Sequence, residues 1–174
     1  MPFEIGCILV RKEEDHYKAF ALHPDYFGHN IGMRMTSDYG IQVSRYFRSL
    51  KAWMSLKENG VLKYGRLIQQ NIDQAHYLAE LIQASPELEL LSPVVSNVVC
   101  FRYHGTGLDD ATLNELNSKL PRLLMGSGVA MISDTQLKGR FSLRVAIVNH
   151  RSRREDFELL IRQVKQLGSS LLKS

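Results

Sequence analysis

The stretch SRYFRSLKAWMSLKENG, residues 44–60, separates an irregular segment of the chain from a regular one. Its apolar side chains recur every three or four residues, which places Tyr46 and Trp53 on one broad face of a helix at about 3.6 residues per turn. Ser44 is a candidate N-cap, and Gly60 is a candidate left-handed stop after the helix. The stretch therefore predicts an amphipathic helix that buries an aromatic face.

The residues before this helix predict two contrasting kinds of structure. The run EIGCILVR, residues 4–11, is almost continuously apolar, which is typical of a strand buried on both faces of a sheet. A helical turn at residues 13–20 follows, and residues 22–42 then lack any periodicity and predict a long loop that is either functional or disordered. Because few partners for a two-sided strand follow nearby, we expect the chain to begin within a larger structure.

The residues after it predict an α+β domain. An amphipathic stripe predicts a helix at residues 61–84. A further helix is predicted at residues 109–125, where Pro121 should kink or end it early, and another opens with a capping box at Ser152 and Glu155. Strands are predicted at residues 88–91, 97–103, 129–133 and 140–148. The order from residue 87 onward, β-β-α-β-β-α, predicts an antiparallel sheet with helices on one side.

The composition is that of an ordinary soluble globular protein. Of the 174 residues, 44% are hydrophobic and 23% are charged, and no apolar run approaches the roughly 20 residues that span a bilayer. Cys7 and Cys100 each lie in an apolar run, so both are expected to be buried free thiols in a reducing cytoplasm. The net charge of +4 permits an anionic ligand but does not demand nucleic acid.

No self-contained set of catalytic residues is visible in the sequence. The six histidines lack metal-ligand spacing, and there is neither a glycine-rich phosphate loop nor a nucleophile elbow. Phe101 and Tyr103 alternate as in base-stacking sheets, but the basic, glycine-containing RNA-recognition motif is missing. Arg151, Arg153 and Arg154 cluster at the start of the last helix, where either the neighbouring acids offset them or an anion binds.

Arg144 is a candidate binding residue. It lies in RFSLRVAIV, residues 140–148, where apolar and polar side chains alternate after a turn at Lys138 and Gly139. The alternation places Arg144 on the face opposite the apolar one. A guanidinium there can form a bidentate pair with a ligand carboxylate or a salt bridge to a neighbouring helix.

Four blocks of the sequence resemble the group II pyridoxal-phosphate decarboxylases, the fold type I family of aromatic amino acid and glutamate decarboxylases. In chain order they are PFEIGCILVR at residues 2–11, SRYFRSLKAW at residues 44–53, VVCFR at residues 98–102 and TQLKGRFSLRVAI at residues 135–147. The second block is similar to the family's S-R-R-x-R-x-L-K-x-W block. The match runs essentially from end to end, and the blocks are specific when taken together.

The resemblance implies that the chain is the C-terminal segment of such an enzyme. In the family, a His-Lys pair whose lysine forms the Schiff base with pyridoxal phosphate lies just upstream of the block matched by residues 2–11, and this sequence has no His-Lys dipeptide. The expected parts are a remnant of the large domain with the mobile catalytic loop at residues 1–43, linking helices at residues 44–86, and the small C-terminal α+β domain at residues 87–174. No covalently bound cofactor is expected on this chain, which should be inactive alone.

The resemblance also implies two site residues. Ser37-Asp38-Tyr39 is similar to a T-D-Y motif of the family's mobile loop, so Tyr39 is expected to reach the active site of the partner subunit and protonate the substrate carbon after carbon dioxide leaves. Arg144 matches an arginine that contacts the substrate carboxylate in glutamate decarboxylases, whereas a purely structural role stays open for relatives with aromatic substrates.

Two functions from different classes follow. The first is the C-terminal portion of a cytoplasmic, homodimeric enzyme that decarboxylates an amino acid and that binds neither nucleic acid nor membrane. The second is a stand-alone ferredoxin-like module that binds an anionic ligand or RNA through the arginine cluster.

Overall fold

A computed structural model describes residues 6–21, 34–42 and 44–173. The chain divides into two compact units, Met1–Val61 and Leu62–Ser174. The three parts expected from the resemblance, with boundaries after residues 43 and 86, stay a prediction.

The regular elements in the described part of the first unit are all helical. They are helix α1 (Glu13–Phe20), a short 3₁₀ turn (Thr36–Tyr39) and helix α2 (Arg48–Asn59). Helix α2 ends as predicted at Gly60, whose φ of 77° lies in the left-handed region that glycine adopts without strain. Ser44 is not its N-cap. That position falls on Phe47, which forms no side-chain cap hydrogen bond.

The aromatic residues of this stretch are exposed. Trp53 lies within α2 and is 58% exposed, whereas Tyr46 and Phe47, with exposed fractions of 84% and 72%, precede the first residue of the helix. The prediction that this face is buried is therefore wrong for the described part of the chain. Periodicity specifies a face that can be buried, but burial also needs a packing partner, and α2 contains no buried residue.

The apolar run near the start of the chain does not form the predicted strand in its described residues. Residues 6–10 are irregular and exposed, and Cys7 is exposed rather than buried. A strand buried on both faces needs hydrogen-bonded neighbours, and the four strands of the described chain pair only with one another. Residues 1–5 and 22–33, and with them part of this run and most of the predicted loop, lie outside the described residues.

The second unit is built on a four-stranded antiparallel sheet. Its elements in chain order are α3 (Val61–Gln83, starting at the last residue of the first unit), β1 (Leu88–Leu90), β2 (Val98–Tyr103), α4 (Asp110–Gly126), β3 (Ser133–Leu137), β4 (Arg140–Ala146) and α5 (Arg154–Lys173). The strands are ordered β1-β2-β4-β3, and each neighbouring pair is antiparallel. The predicted α+β fold is confirmed.

The core lies between one face of this sheet and helices α3, α4 and α5. Its sheet side is formed by alternate residues such as Val99, Phe101 and Leu143, which are fully buried. Fully buried helix residues that pack with them are Leu78, Ile82, Leu120, Leu124 and Val164. Burial of a side chain of this size stabilises the fold by roughly 1.5–3 kcal/mol. The opposite face carries the polar alternate positions, including Arg102 and Arg144.

Helix α4 is tied to the end of β2 by Asn117, which is fully buried. Its Oδ1 accepts a hydrogen bond from the backbone N–H of Tyr103 at 2.7 Å, and its Nδ2 donates to the carbonyl of Tyr103 at 2.9 Å. The helix continues through Pro121 to Gly126, so of the two predicted alternatives the early stop is wrong and the kink stays a prediction. Burial of Leu120 and Leu124 on either side offsets the hydrogen bond that a proline lacks.

The hairpin of β3 and β4 corrects the position of one predicted strand. Strand β3 begins where the predicted strand, residues 129–133, ends. Lys138 and Gly139 form the predicted two-residue turn, with positive φ values of 53° and 80°. This turn sets the register in which Ser133 pairs with Arg144. Turn geometry therefore outweighs the apolar content of residues 129–133.

Candidate functional site

Arg144 lies on the sheet face opposite the core, where its cross-strand neighbour is Ser133. The Nη1 of Arg144 donates a hydrogen bond to Ser133 Oγ at 3.2 Å, and this hydroxyl donates to the backbone carbonyl of Arg144 at 3.1 Å. Within the described residues, Arg144 forms no ion pair with a carboxylate. The alternative of a salt bridge to a neighbouring helix is therefore wrong for this part of the chain.

A cavity of about 340 Å³ adjoins the Arg144 side chain. Its lining residues are Met131, Ile132, Ser133, Arg144, Val145 and Ala146. This volume is at the lower end of the range for small-molecule sites, roughly 300–1,000 Å³. One cation among apolar and hydroxyl groups suits a small ligand with a carboxylate.

Ser133 was not singled out from the sequence, although the sequence contains the signal. A two-residue turn at Lys138 and Gly139 makes residues 137 and 140 partners, and counting back along both strands brings Ser133 opposite Arg144. Because the strand was predicted at residues 129–133 and β3 in fact spans Ser133–Leu137, the pairing of Ser133 with Arg144 was not predicted.

A second arginine on the same face, Arg102, is fully engaged by acids. Only 2% of its surface is exposed. Its Nε donates to Glu89 Oε2 at 2.7 Å, and its Nη1 donates to Asp110 Oδ1 at 2.8 Å. Arg140 Nη1 also donates to Glu89 Oε1, at 3.1 Å. We call these four residues the Arg102 network. It joins β1, β2, β4 and the start of α4.

The Arg102 network is electrostatically balanced. Burial alone lowers the pKa of Arg102, but the hydrogen bonds to Asp110 and Glu89 raise it above the ordinary value. The hydrogen bond from Arg102 lowers the pKa of Asp110. Arg102 is therefore a structural cation, whereas Arg144 has its guanidinium beside a cavity.

Tyr39, the proposed loop tyrosine, belongs to the first unit and is held by α1. Its hydroxyl donates to Glu13 Oε1 at 2.5 Å, and its ring packs against His16 with 5.5 Å between the ring centroids. Arg34 pairs with the same carboxylate, with its Nη1 3.1 Å from Glu13 Oε1, and also with Glu14. The turn that carries Tyr39 is therefore fixed to α1 by two acidic side chains.

The contact with Glu13 also sets the acidity of Tyr39. Because the phenol donates to a carboxylate, this hydrogen bond raises the pKa of Tyr39 above its ordinary value. The same bond, together with Arg34, lowers the pKa of Glu13. In this arrangement Tyr39 keeps its proton.

The arginine cluster lies at the start of α5. The backbone N–H of Arg153 donates to Asp156 Oδ2 at 2.8 Å. The predicted capping box at Ser152 and Glu155 is therefore wrong: half of such a box forms one residue later, because the side chain of Arg153 cannot accept the reciprocal hydrogen bond. The Arg154 guanidinium carbon lies 4.8 Å from the centroid of the Tyr77 ring. One guanidinium of the cluster, that of Arg154, thus contacts a neighbouring ring, whereas Arg153 is engaged through its backbone amide. The two interpretations of the cluster, offset by the neighbouring acids or binding of an anion, both stay predictions.

The lysines of the chain do not fit a covalent pyridoxal-phosphate site. A lysine that forms a Schiff base is desolvated in a pocket, yet none of the lysines, all within the described residues, is buried. None lines the cavity beside Arg144, and Lys165 pairs with Glu87 at 3.1 Å. None of these lysines therefore lies in the desolvated surroundings that a Schiff-base lysine needs.

No helix in the described part of the chain is both long and apolar enough to cross a membrane. Across the same residues, no group of three or more His, Cys, Asp or Glu side chains is placed to hold a metal ion.

Two curated relatives of this chain carry the same name, aromatic-L-amino-acid decarboxylase. The chain is 30% identical to an aromatic-L-amino-acid decarboxylase of Bacillus atrophaeus over 98% of this chain and 36% of that protein. It is 26% identical to the aromatic-L-amino-acid decarboxylase of Rattus norvegicus over 99% of this chain and 35% of that protein. The chain thus spans about a third of the length of these curated relatives.

A solved structure shares the fold. The crystal structure of Oryza sativa TDC with PLP and tryptamine matches 89% of this chain and 33% of that chain, with a TM-score of 0.76 at 22% identity. A family model, the pyridoxal-dependent decarboxylase conserved domain, matches residues 1–104. The chain therefore belongs to the pyridoxal-dependent decarboxylase family.

Proposed function

We propose that this chain supplies the mobile loop, the substrate-side elements and the dimer-side elements of a pyridoxal-phosphate-dependent L-amino acid decarboxylase. The observation that carries the proposal is the similarity to the Bacillus atrophaeus protein over 98% of this chain. The names of that relative and of the Rattus norvegicus relative support an aromatic L-amino acid as the substrate.

Arg144 is the proposed substrate-binding residue. Its guanidinium adjoins the cavity and contacts Ser133 rather than an acid. An arginine that contacts a hydroxyl group through one N–H keeps other donors for the substrate carboxylate. It can bind that carboxylate through two parallel N–H···O bonds, which fix its orientation as well as its position. Its role is to orient the amino acid.

Tyr39 is the proposed proton donor of the loop, acting in the partner subunit of a homodimer. Its phenol carries a proton, as a donor requires, and the hydrogen bond to Glu13 raises its pKa, which makes it a weaker acid while that contact lasts. Donation to a substrate carbon needs release of the hydroxyl from Glu13. The network of Glu13 and Arg34 is then the resting position of the turn that carries Tyr39.

The proposal extends to the organisation of the protein. Residues 1–43 are assigned to the large domain and its loop, residues 44–86 to linking helices and residues 87–174 to the small domain. Because none of the lysines is buried, we propose that this chain is inactive alone and acts in the cytoplasm together with a large domain of the family.

Titration of this chain with pyridoxal phosphate tests the inactivity. Visible absorbance is followed, and borohydride reduction with peptide mass mapping then locates the labelled lysines. We expect weak labelling spread over surface lysines. Stoichiometric uptake by one lysine at low micromolar cofactor would overturn this part of the proposal.

A chimera tests the activity itself. This chain replaces the matching third of the Bacillus atrophaeus relative, whose remaining residues are retained. We expect release of carbon dioxide from an aromatic L-amino acid, and a loss of at least about tenfold in kcat/KM in the Arg144→Gln chimera, since a charged hydrogen-bonded pair is removed. A folded, cofactor-loaded and dimeric chimera without activity would contradict the proposed function.

A further inference from the structure

We propose that Ser133 is a positioning residue that holds the Arg144 guanidinium at the cavity for a carboxylate with an apolar body. This inference rests on the proposed substrate-binding role of Arg144 and adds a second residue and a ligand class to it.

The hydroxyl of Ser133 makes two contacts with one residue. Its hydrogen is directed to the backbone carbonyl of Arg144 at 3.1 Å, and its oxygen accepts from Nη1 at 3.2 Å. Because the single hydroxyl hydrogen is used on the carbonyl, the oxygen faces the guanidinium as an acceptor. The serine thereby links the side chain of Arg144 to its own backbone and restricts its rotamers.

The guanidinium keeps binding capacity in this position. An arginine has five N–H donors, and the contact with Ser133 uses one on Nη1. The edge formed by Nε and Nη2 is the usual partner of a bidentate carboxylate. Arg102 on the same face shows the alternative state, since Glu89 and Asp110 already occupy its donors.

The walls of the cavity select the rest of the ligand. Besides Ser133 and Arg144, the lining residues are Met131, Ile132, Val145 and Ala146. Val145 belongs to the core and Ile132 packs against it, so the exposed side chains of Met131 and Ala146 supply the apolar contact surface for a ligand. No lining residue carries a negative charge to repel the carboxylate. A carboxylate joined to an apolar group matches this arrangement better than a dicarboxylate or a sugar acid.

The test measures carboxylate binding by the complete chain without cofactor. The probe is 3-phenylpropionate, followed by NMR of the nitrogen-labelled arginine side chains. Ser133→Val removes the hydroxyl, and Ser133→Thr keeps it with nearly the same shape. Ser133 is exposed, so both variants leave the core untouched. Thr135→Val is the matched control, because Thr135 lies on the same strand and face but outside the cavity lining.

We expect Ser133→Val to weaken binding by about three- to tenfold and to speed rotation of the Arg144 guanidinium, because one hydrogen bond to a charged group is lost. Ser133→Thr and Thr135→Val should bind as the unmodified chain does. Unchanged binding in Ser133→Val with loss of binding in Arg144→Gln would overturn the role of Ser133 alone. Unchanged binding in Arg144→Gln, or no binding by the unmodified chain, would overturn the role of Arg144 and with it this inference.

Discussion

Gly168 of α5 lies directly against the ring of Tyr103 on β2, so close that a Cβ at position 168 would overlap the ring carbons. The helix can approach the sheet at this point because no side chain separates them. Tyr103 is itself buried, so its ring has little room to move away.

Substitution of Gly168 by alanine should destabilise the second unit. We expect Gly168→Ala to lower the free energy of unfolding by about 1–3 kcal/mol, since a methyl group is forced into a packed core. Urea unfolding at constant slope measures the change. Gly65→Ala on α3 is the control, because nothing lies near that position. This variant should gain about 0.5–1 kcal/mol. Equal responses of the two variants would contradict the role of the close approach.

Loss of Arg102 should uncouple β1 and α4 from the central strands. Arg102→Met keeps the length of the buried side chain but leaves Glu89 and Asp110 without their shared partner. We expect a loss of about 2–3 kcal/mol, because both acids retain some access to water and the full cost of a broken buried pair is not reached. Arg140→Met, at the more exposed member of the network, should cost less than about 1 kcal/mol. The prediction fails if the two variants are equally stable.

The stability of the second unit should depend on pH through Asp110. Its folded pKa lies below the ordinary value of 3.8, so its contribution is complete above that value and is lost as the pH falls through the lowered folded pKa. The difference in unfolding free energy between the unmodified chain and Asp110→Asn should therefore shrink on acidification below about pH 4. Urea titrations across this range measure it, and a difference independent of pH would contradict the assignment.

Glu13 should control the acidity of Tyr39. Glu13→Gln removes the negative charge that the phenol faces, so the pKa of Tyr39 should fall back toward its ordinary value of 10.0. Tyrosinate absorbance measures this pKa, and subtraction of the curve for Tyr39→Phe isolates the one residue. Identical curves for the unmodified chain and Glu13→Gln would show that the contact does not persist in solution.

The proposed proton donor can be tested against the other tyrosine of the segment at residues 22–42. In the chimera, Tyr39→Phe should lower kcat by about 10²-fold or more, as loss of a general acid does, with little change in KM. Tyr26→Phe is the matched variant. A large loss in Tyr26→Phe and none in Tyr39→Phe would move the role of proton donor to Tyr26.

Local patterns predicted most of the second unit. The apolar stripe of α3, the alternation in β4 and the turn at Lys138 and Gly139 each reflect a period or a backbone preference that the residues themselves determine. Pairing between strands is not local, which is why the position of β3 was wrong.

In the first unit, by contrast, local patterns predicted less of the structure. The predicted helix forms from Arg48 onward and includes Trp53, but Tyr46 precedes it. The predicted burial failed because a pattern cannot supply the surface that covers it. The Arg102 network was missed although Glu89 and Arg102 each interrupt an apolar alternation. Opposite charges at paired positions of adjacent strands are the signal for it.

The hydrogen bonds between Asn117 and the backbone of Tyr103 allow the N–H of Tyr103 to report on a local opening of the fold. The N–H of Tyr103 donates to a side chain of α4, not to a neighbouring strand. Hydrogen–deuterium exchange at this amide therefore follows the detachment of α4 from the sheet, whereas exchange at amides within the ladder of β2 and β4 follows separation of the strands. The fold thus allows two local opening reactions to be measured separately on one strand.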